Sequence, residues 1–174
     1  MRTEILNILE ELNNPANDFA KKSYKVVTET IKTLFAKQGE KLGYCTAAHR
    51  NLNIFLDFEY DEGEWLFDLV WYKMNENDDQ IMTSIPLVLE SELSDKTFGG
   101  LKVDFDKLLV ATSSTKVFVT TIHEIEIKKK YIQKAINGFT EFRKGETLYL
   151  IIWDENFEGN FILEEFNRKY NVSH

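Results

Sequence analysis

The chain has 174 residues, 43% hydrophobic, 13% aromatic and 29% charged, a length at which roughly 70% of the unfolded surface can be buried without disulfides or a structural metal. Its 21 Lys and Arg against 29 Asp and Glu give a net charge of −8, which excludes a broadly basic, nucleic-acid-coating protein and leaves only a local basic face open. A single cysteine, Cys45, excludes an internal disulfide, and no apolar run reaches the roughly 18 residues of a membrane span.

The acids in Met1–Glu11 interrupt what would be the apolar core of a secretory signal, so a soluble cytoplasmic protein is expected. With 2 Pro and 8 Gly there is no low-complexity linker, and residues 1–174 read as one domain.

Ile5, Ile8, Leu9 and Leu12 recur at helical spacing and predict a short amphipathic helix over 2–13, ended by Asn13-Asn14-Pro15. Asn14 as cap and Pro15 at the first helical position predict a second, longer helix whose stripe is Phe19, Val26, Val27, Ile31, Leu34 and Phe35, with Gly39 as its stop. Residues 52–60 and 64–73 alternate in character around Asp61-Glu62-Gly63 and predict a hairpin. In its second strand Trp65, Phe67, Leu69 and Trp71 share one face, and Asp68 interrupts the apolar face made by Leu66, Val70 and Tyr72.

Asn75–Asp79 is a polar loop, and residues 84–92 read as a buried strand that turns acidic at Glu90-Ser91-Glu92. A helix over 103–112 follows Gly99-Gly100, and Lys116–Ile122 is a β-branched strand suited to a central, parallel position. Residues 124–142 place Ile125, Ile132, Ala135, Ile136 and Phe139 on one helical stripe and Lys128-Lys129-Lys130 largely off it. Strands Thr147–Trp153 and Asn160–Phe166 close the chain, although Phe161–Tyr170 can also be drawn as a helix. The resulting order, α-α-β-β-β-α-β-α-β-β, is an α/β sandwich around a mixed sheet.

His49, His123 and His174 fit no zinc-ligand spacing, and a lone Cys45 is more often a small hydrophobe than a nucleophile. No phosphate-binding glycine loop and no Gly-x-Ser-x-Gly elbow is present. Asp57, Glu59, Asp61 and Asp68 mimic calcium-loop positions, but Gly63 is one place late and the stretch alternates like strands. Lys128, Lys129 and Lys130, with Lys134, Arg143 and Lys144, form the basic face on which a phosphate backbone would sit; the plainer alternative is a solvated helix face.

Asp68 and, 22 residues on, Glu90-Ser91-Glu92 remain. Carboxylates on adjacent strands repel and are costly to bury without a cation, which points to Mg²⁺, with Mn²⁺ as a substitute. Such an ion holds a scissile phosphate and activates a water, which is nuclease chemistry. The plain alternative for each acid is a hydrated strand-end carboxylate paired with a lysine such as Lys73 or Lys107.

Taken in this order, residues 15–122 resemble the PD-(D/E)XK, or restriction-endonuclease-like, nuclease superfamily. The resemblance implies an α-β-β-β-α-β core with a mixed central sheet, here carrying an extra N-terminal helix and a C-terminal helix plus two strands. It also implies an Asp on the second core strand and a Glu-x-Lys, or a variant of it, on the third. By position Asp68 and Glu90 would be the metal ligands, and Glu92 would stand where lysine is usual, as a base or a further ligand. An acid on the first core helix is common in the superfamily; Glu29 is the candidate, with Glu40 as the alternative.

The function expected is Mg²⁺-dependent hydrolysis of DNA phosphodiesters. The alternative is a catalytically inactive nuclease-fold interaction or regulatory protein, an immunity or phage-defence partner, favoured by the net charge and the missing lysine. A homodimer or a protein partner is compatible with either, and the aromatics Phe55, Phe58, Tyr60, Trp65, Trp71 and Tyr72 mark an interface if they are not core.

Overall fold

Ile5, Ile8, Leu9 and Leu12 form one face of α1 (Arg2–Leu12), and all four are buried in the structure, a computed structural model that describes residues 1–48, 66–95, 98–156 and 159–168. The chain then departs from expectation. Asn14 caps a turn, its Oδ1 accepting from the Ala16 N–H at 3.0 Å, but that turn is a short 3-10 piece, Pro15–Asn17. Asp18 follows with φ 46°, a left-handed conformation that no continuing helix accommodates. A second 3-10 turn, Phe19–Lys21, seats Phe19 edge-on against Phe161. Only at Tyr24 does α2 (Tyr24–Lys41) begin, capped by Ser23, whose Oγ accepts from the Val26 N–H.

Gly39 is not the helix stop; it lies inside α2, which ends beyond it with Gly43 at φ 77°. A Cβ at Gly39 would stand 2.7 Å from Trp71 Nε1 and 2.8 Å from Thr46 Cγ2. Glycine therefore lets the indole lie directly on the helix, where its Nε1–H donates to the Phe35 carbonyl at 3.0 Å. Gly39→Ala, which would gain up to about 1 kcal/mol in an open helix, should here lower stability by about 2 kcal/mol through overpacking. A thermal midpoint that stays level or rises would refute this account of Gly39.

Among the described residues six strands form one mixed sheet in chain order: β1 (Cys45–Ala48), β2 (Leu69–Asn75), β3 (Asp78–Glu92), β4 (Thr115–Thr121), β5 (Thr147–Asp154) and β6 (Asn160–Phe166). β1 to β3 pair antiparallel, β3 to β4 and β4 to β5 parallel, and β5 to β6 antiparallel. The two parallel steps need crossovers, supplied by α3 (Phe98–Val110) and α4 (Ile125–Gly138). The mixed α/β sandwich, the central parallel position of β4 and the strand identity of Asn160–Phe166 are as expected.

Several boundaries differ from expectation, α3 starting at Phe98 rather than at 103 and β3 at Asp78 rather than at 84. The expected strand 52–60 and its turn lie outside the described residues, as do Trp65, Phe55, Phe58 and Tyr60. The next strand starts at Leu69, so Asp68 stands just ahead of β2 rather than inside it. The loop expected over Asn75–Asp79 shrinks to a Glu76-Asn77 turn, because Asn75 already pairs with Asp78.

Alternation along each strand divides the core into two layers. Leu69, Trp71, Leu87, Leu89, Val117, Val119 and Ile151 face α1 and α2, whereas Val70, Val88, Phe118, Leu150 and Ile152 face α3 and α4. Trp71 is thus core, not interface. At the sheet's edge the Asn13 side chain meets β6 twice: Nδ2 donates to the Phe161 carbonyl at 2.9 Å, and Oδ1 accepts from the Phe161 N–H at 2.7 Å. Among the described residues no helix is long and apolar enough to cross a membrane.

Candidate functional site

The β2–β3 register sets Leu69 opposite Leu89 and Val70 opposite Val88 and ends there, and Asp68, the residue before β2, faces the Glu90–Ser91 end of β3. Asp68 is drawn onto β3 itself, its Oδ2 accepting from the Ser91 N–H at 2.8 Å. Glu90 is only 3% exposed because it lies on the α3 side of the sheet, and its Oε1 is buried without a hydrogen-bond partner.

α3 answers this buried carboxylate. Lys107 Nζ lies 3.4 Å from Glu90 Oε1, a charge contact, and 2.7 Å from Asp104 Oδ1, one helical turn back. Burial, reinforced by the Asp68 charge, pushes the Glu90 carboxyl up to about 8. Burial also raises Asp68, with the Ser91 N–H and the Lys32 charge opposing. For Lys107 burial pulls downward, but the bond to Asp104 and the Glu90 charge outweigh it and the ammonium is held above its ordinary value.

The other expected site residues fall in different places. Glu92 lies at the end of β3, but its Oε1 accepts from the Ser94 N–H at 2.8 Å, from Ser94 Oγ and from the Asp95 N–H at 2.6 Å, fixing the loop that leaves the strand. Glu29 pairs with Lys32 of its own helix at 3.3 Å, while its Oε2 is buried and without a partner. Glu29, Ser91 and Glu92 line a cavity of about 300 Å³ between α2 and the end of β3. Glu40, eleven residues further along α2, is about 16 Å down the helix axis from Glu29, and partial burial raises its carboxyl.

The expected basic face over Lys128, Lys129 and Lys130 does not form. Lys128 is 1% exposed; its Nζ donates to Thr120 Oγ1 at 2.9 Å and to the Thr121 carbonyl at 3.2 Å, tying α4 to the end of β4. Burial pulls its ammonium down, against the charges of Glu124, Glu92, Asp95 and Glu155. Lys129 is bound to Glu164 and Glu126, leaving Lys130 exposed. Consecutive helical residues point about 100° apart, so a run of three lysines covers three directions.

The structure therefore brings together Asp68 and Glu90 and adds Lys107, Asp104 and the buried Lys32. Of these, Lys107 was foreseen only as a pairing partner, and Asp104 and Lys32 not at all. The one sequence signal was the Asp-x-x-Lys spacing on α3, which sets both side chains on one helix face. Lys73, the other expected partner, instead stands over the Tyr44 ring at 5.2 Å. Among the described residues no cluster of three or more His, Cys, Asp or Glu side chains is arranged to hold a metal ion.

Comparison of the chain with family models, with curated proteins and with solved structures returns no match.

Proposed function

We propose that the chain is a restriction-endonuclease-like, Mg²⁺-dependent nuclease that hydrolyses DNA phosphodiesters at Asp68 and Glu90. The observation that carries this is a buried, hydrogen-bond-orphaned carboxylate oxygen of Glu90 at the strand end that Asp68 faces, with a lysine beside it. Burying an acid beside a second, half-buried one is costly unless a cation joins them. The donors are all carboxylate oxygens, a hard set, and Mg²⁺ characteristically takes one or two such ligands alongside water and phosphate. Mn²⁺ suits the same donors.

When bound, the ion supplies charge neutralisation at the scissile phosphate and a water of lowered pKa. Asp68, held by the Ser91 N–H, offers its Oδ1, and Glu90 offers Oε1. Lys107 supplies the ammonium that Glu92 cannot, stabilising negative charge that develops on the phosphate. Glu29, with Oε2 unpartnered at the edge of the adjoining cavity, is the acid of the first core helix. The order of helices and strands from α2 to β4, with β3 and β4 parallel, supports the restriction-endonuclease-like reading.

A second function, an interaction protein that keeps the fold without cleavage, is favoured by the engagement of Glu92 with its own loop and by the net charge of −8. Both are tested by titrating Mg²⁺ and Mn²⁺ into the wild type and Asp68→Asn while following the thermal midpoint and cleavage of single- and double-stranded DNA. Nuclease function requires metal-dependent stabilisation and cleavage, with cleavage reduced at least about 100-fold in Asp68→Asn. A wild type indifferent to both metals and inert toward DNA would leave the interaction protein.

A further inference from the structure

We infer that Asp104 is a positioning residue that holds the Lys107 ammonium at the candidate site, so that Lys107 can act on substrate while Glu90 is engaged elsewhere. The inference rests on the nuclease reading and assigns a role to a residue outside the superfamily-derived ligand set.

Lys107 Nζ stands between two carboxylates, 2.7 Å from Asp104 and 3.4 Å from Glu90. The two differ in what else they must do. Glu90 is buried at the strand end that Asp68 faces, and its Oε1 is the atom best placed for a cation. An oxygen serving a cation repels an ammonium from the same place, so Glu90 cannot be relied on to hold Lys107. Asp104 has no such second duty: it is on α3, three residues before Lys107, and the pair is fixed by helix geometry whatever happens on the strands.

A lysine has four rotatable side-chain bonds, and an ammonium one third exposed, as here, would otherwise sample many positions. A charge-assisted bond of 2.7 Å removes most of that freedom before substrate arrives. The arrangement also explains why the site tolerates Glu92 where a strand lysine is usual: the cation enters from the helix, already held.

The test is a double-mutant cycle on the full chain with Asp104→Asn, Lys107→Met and both together, and with Asp104→Glu alone as the conservative control. Steady-state cleavage of a DNA duplex gives kcat and KM, and calorimetric Mg²⁺ titration without DNA gives a readout independent of activity. Expected are an approximately tenfold fall in kcat for Asp104→Asn with KM and the Mg²⁺ midpoint within about twofold of wild type, partial recovery in Asp104→Glu, and no further loss when Asp104→Asn is added to Lys107→Met. An active wild type in which the two losses multiply, or in which Asp104→Asn weakens Mg²⁺ binding tenfold or more, overturns the positioning role and leaves the nuclease standing. A wild type that cleaves nothing overturns the nuclease reading first.

Discussion

Glu146→Ala should destabilise the chain by about 3–5 kcal/mol, the largest effect expected of any single change outside the apolar core. Its partner Lys116 is fully buried at the start of β4, its Nζ donating to Glu146 Oε2 at 2.8 Å and to the Ser113 carbonyl at 2.6 Å, with the Phe142 ring 5.3 Å away. Burial pulls the Lys116 ammonium below its ordinary value and Glu146 opposes it. Removing the carboxylate leaves a buried charge with one carbonyl for company, and the chain must deprotonate the lysine or let water in. The double variant Lys116→Met with Glu146→Leu removes both charges and should fall within about 1 kcal/mol of the wild type or exceed it. Urea unfolding of the three variants measures this directly, and a Glu146→Ala loss under about 1 kcal/mol would mean the pair is solvated in solution.

Glu90→Gln should stabilise the metal-free chain by about 2–4 kcal/mol at pH 8, with the gain shrinking toward zero near pH 4.5. In the unfolded chain Glu90 titrates near 4.5, whereas in the folded chain burial and Asp68 push it up to about 8. Between those values the folded state holds a proton that the unfolded state has released. Wild-type stability therefore falls as pH rises through this window, while the amide, which does not titrate, escapes the loss. Mg²⁺ should reverse the ranking at pH 8 by raising the wild-type midpoint and leaving that of Glu90→Gln unmoved. Thermal scans from pH 4.5 to 8.5 with and without Mg²⁺ test both halves; parallel curves for the two proteins would show that Glu90 is not buried as described.

Strand periodicity made the sheet legible in the sequence. The apolar runs Lys116–Ile122 and Thr147–Trp153 located two central strands closely, because both faces of such a strand are buried and β-branched or aromatic side chains fill them; Asn160–Phe166 was located as the border strand, and the strand expected over 84–92 begins earlier, at Asp78. What stayed hidden depended on contacts distant in sequence. Gly39 looked like a stop, since nothing local reveals that Trp71, 32 residues away, will lie on it. Asn14-Pro15 looked like the start of a long helix, since the left-handed turn at Asp18 is set by the seat that Phe19 finds on Phe161.

The candidate site divides the same way. Asp68 and Glu90 were visible because an acid on an apolar strand face is conspicuous, and the pairing of β2 with β3 then brought them to one strand end. Lys107 and Asp104 were not placed there, because which turn of a crossover helix passes over a strand end is decided by packing, not by spacing. Lys128 misled for the opposite reason: a lysine in a run of three reads as solvated, yet the end of β4 offers it a hydroxyl and a carbonyl.

The Asn13 contact with Phe161 also bears on how copies of this chain meet. β6 is a border strand, and an unpaired border invites a strand from another molecule to zip onto it. At Phe161 the N–H and the carbonyl that would make the first rung are already taken by one side-chain amide, which acts as a one-residue stub of a seventh strand. Among the described residues of this border, Ile162–Phe166 is left for an intruder, a stretch that carries Glu164 and Glu165. A strand arriving from another molecule thereby finds its first rung on β6 occupied, by a residue whose sequence neighbourhood speaks only of a helix ending.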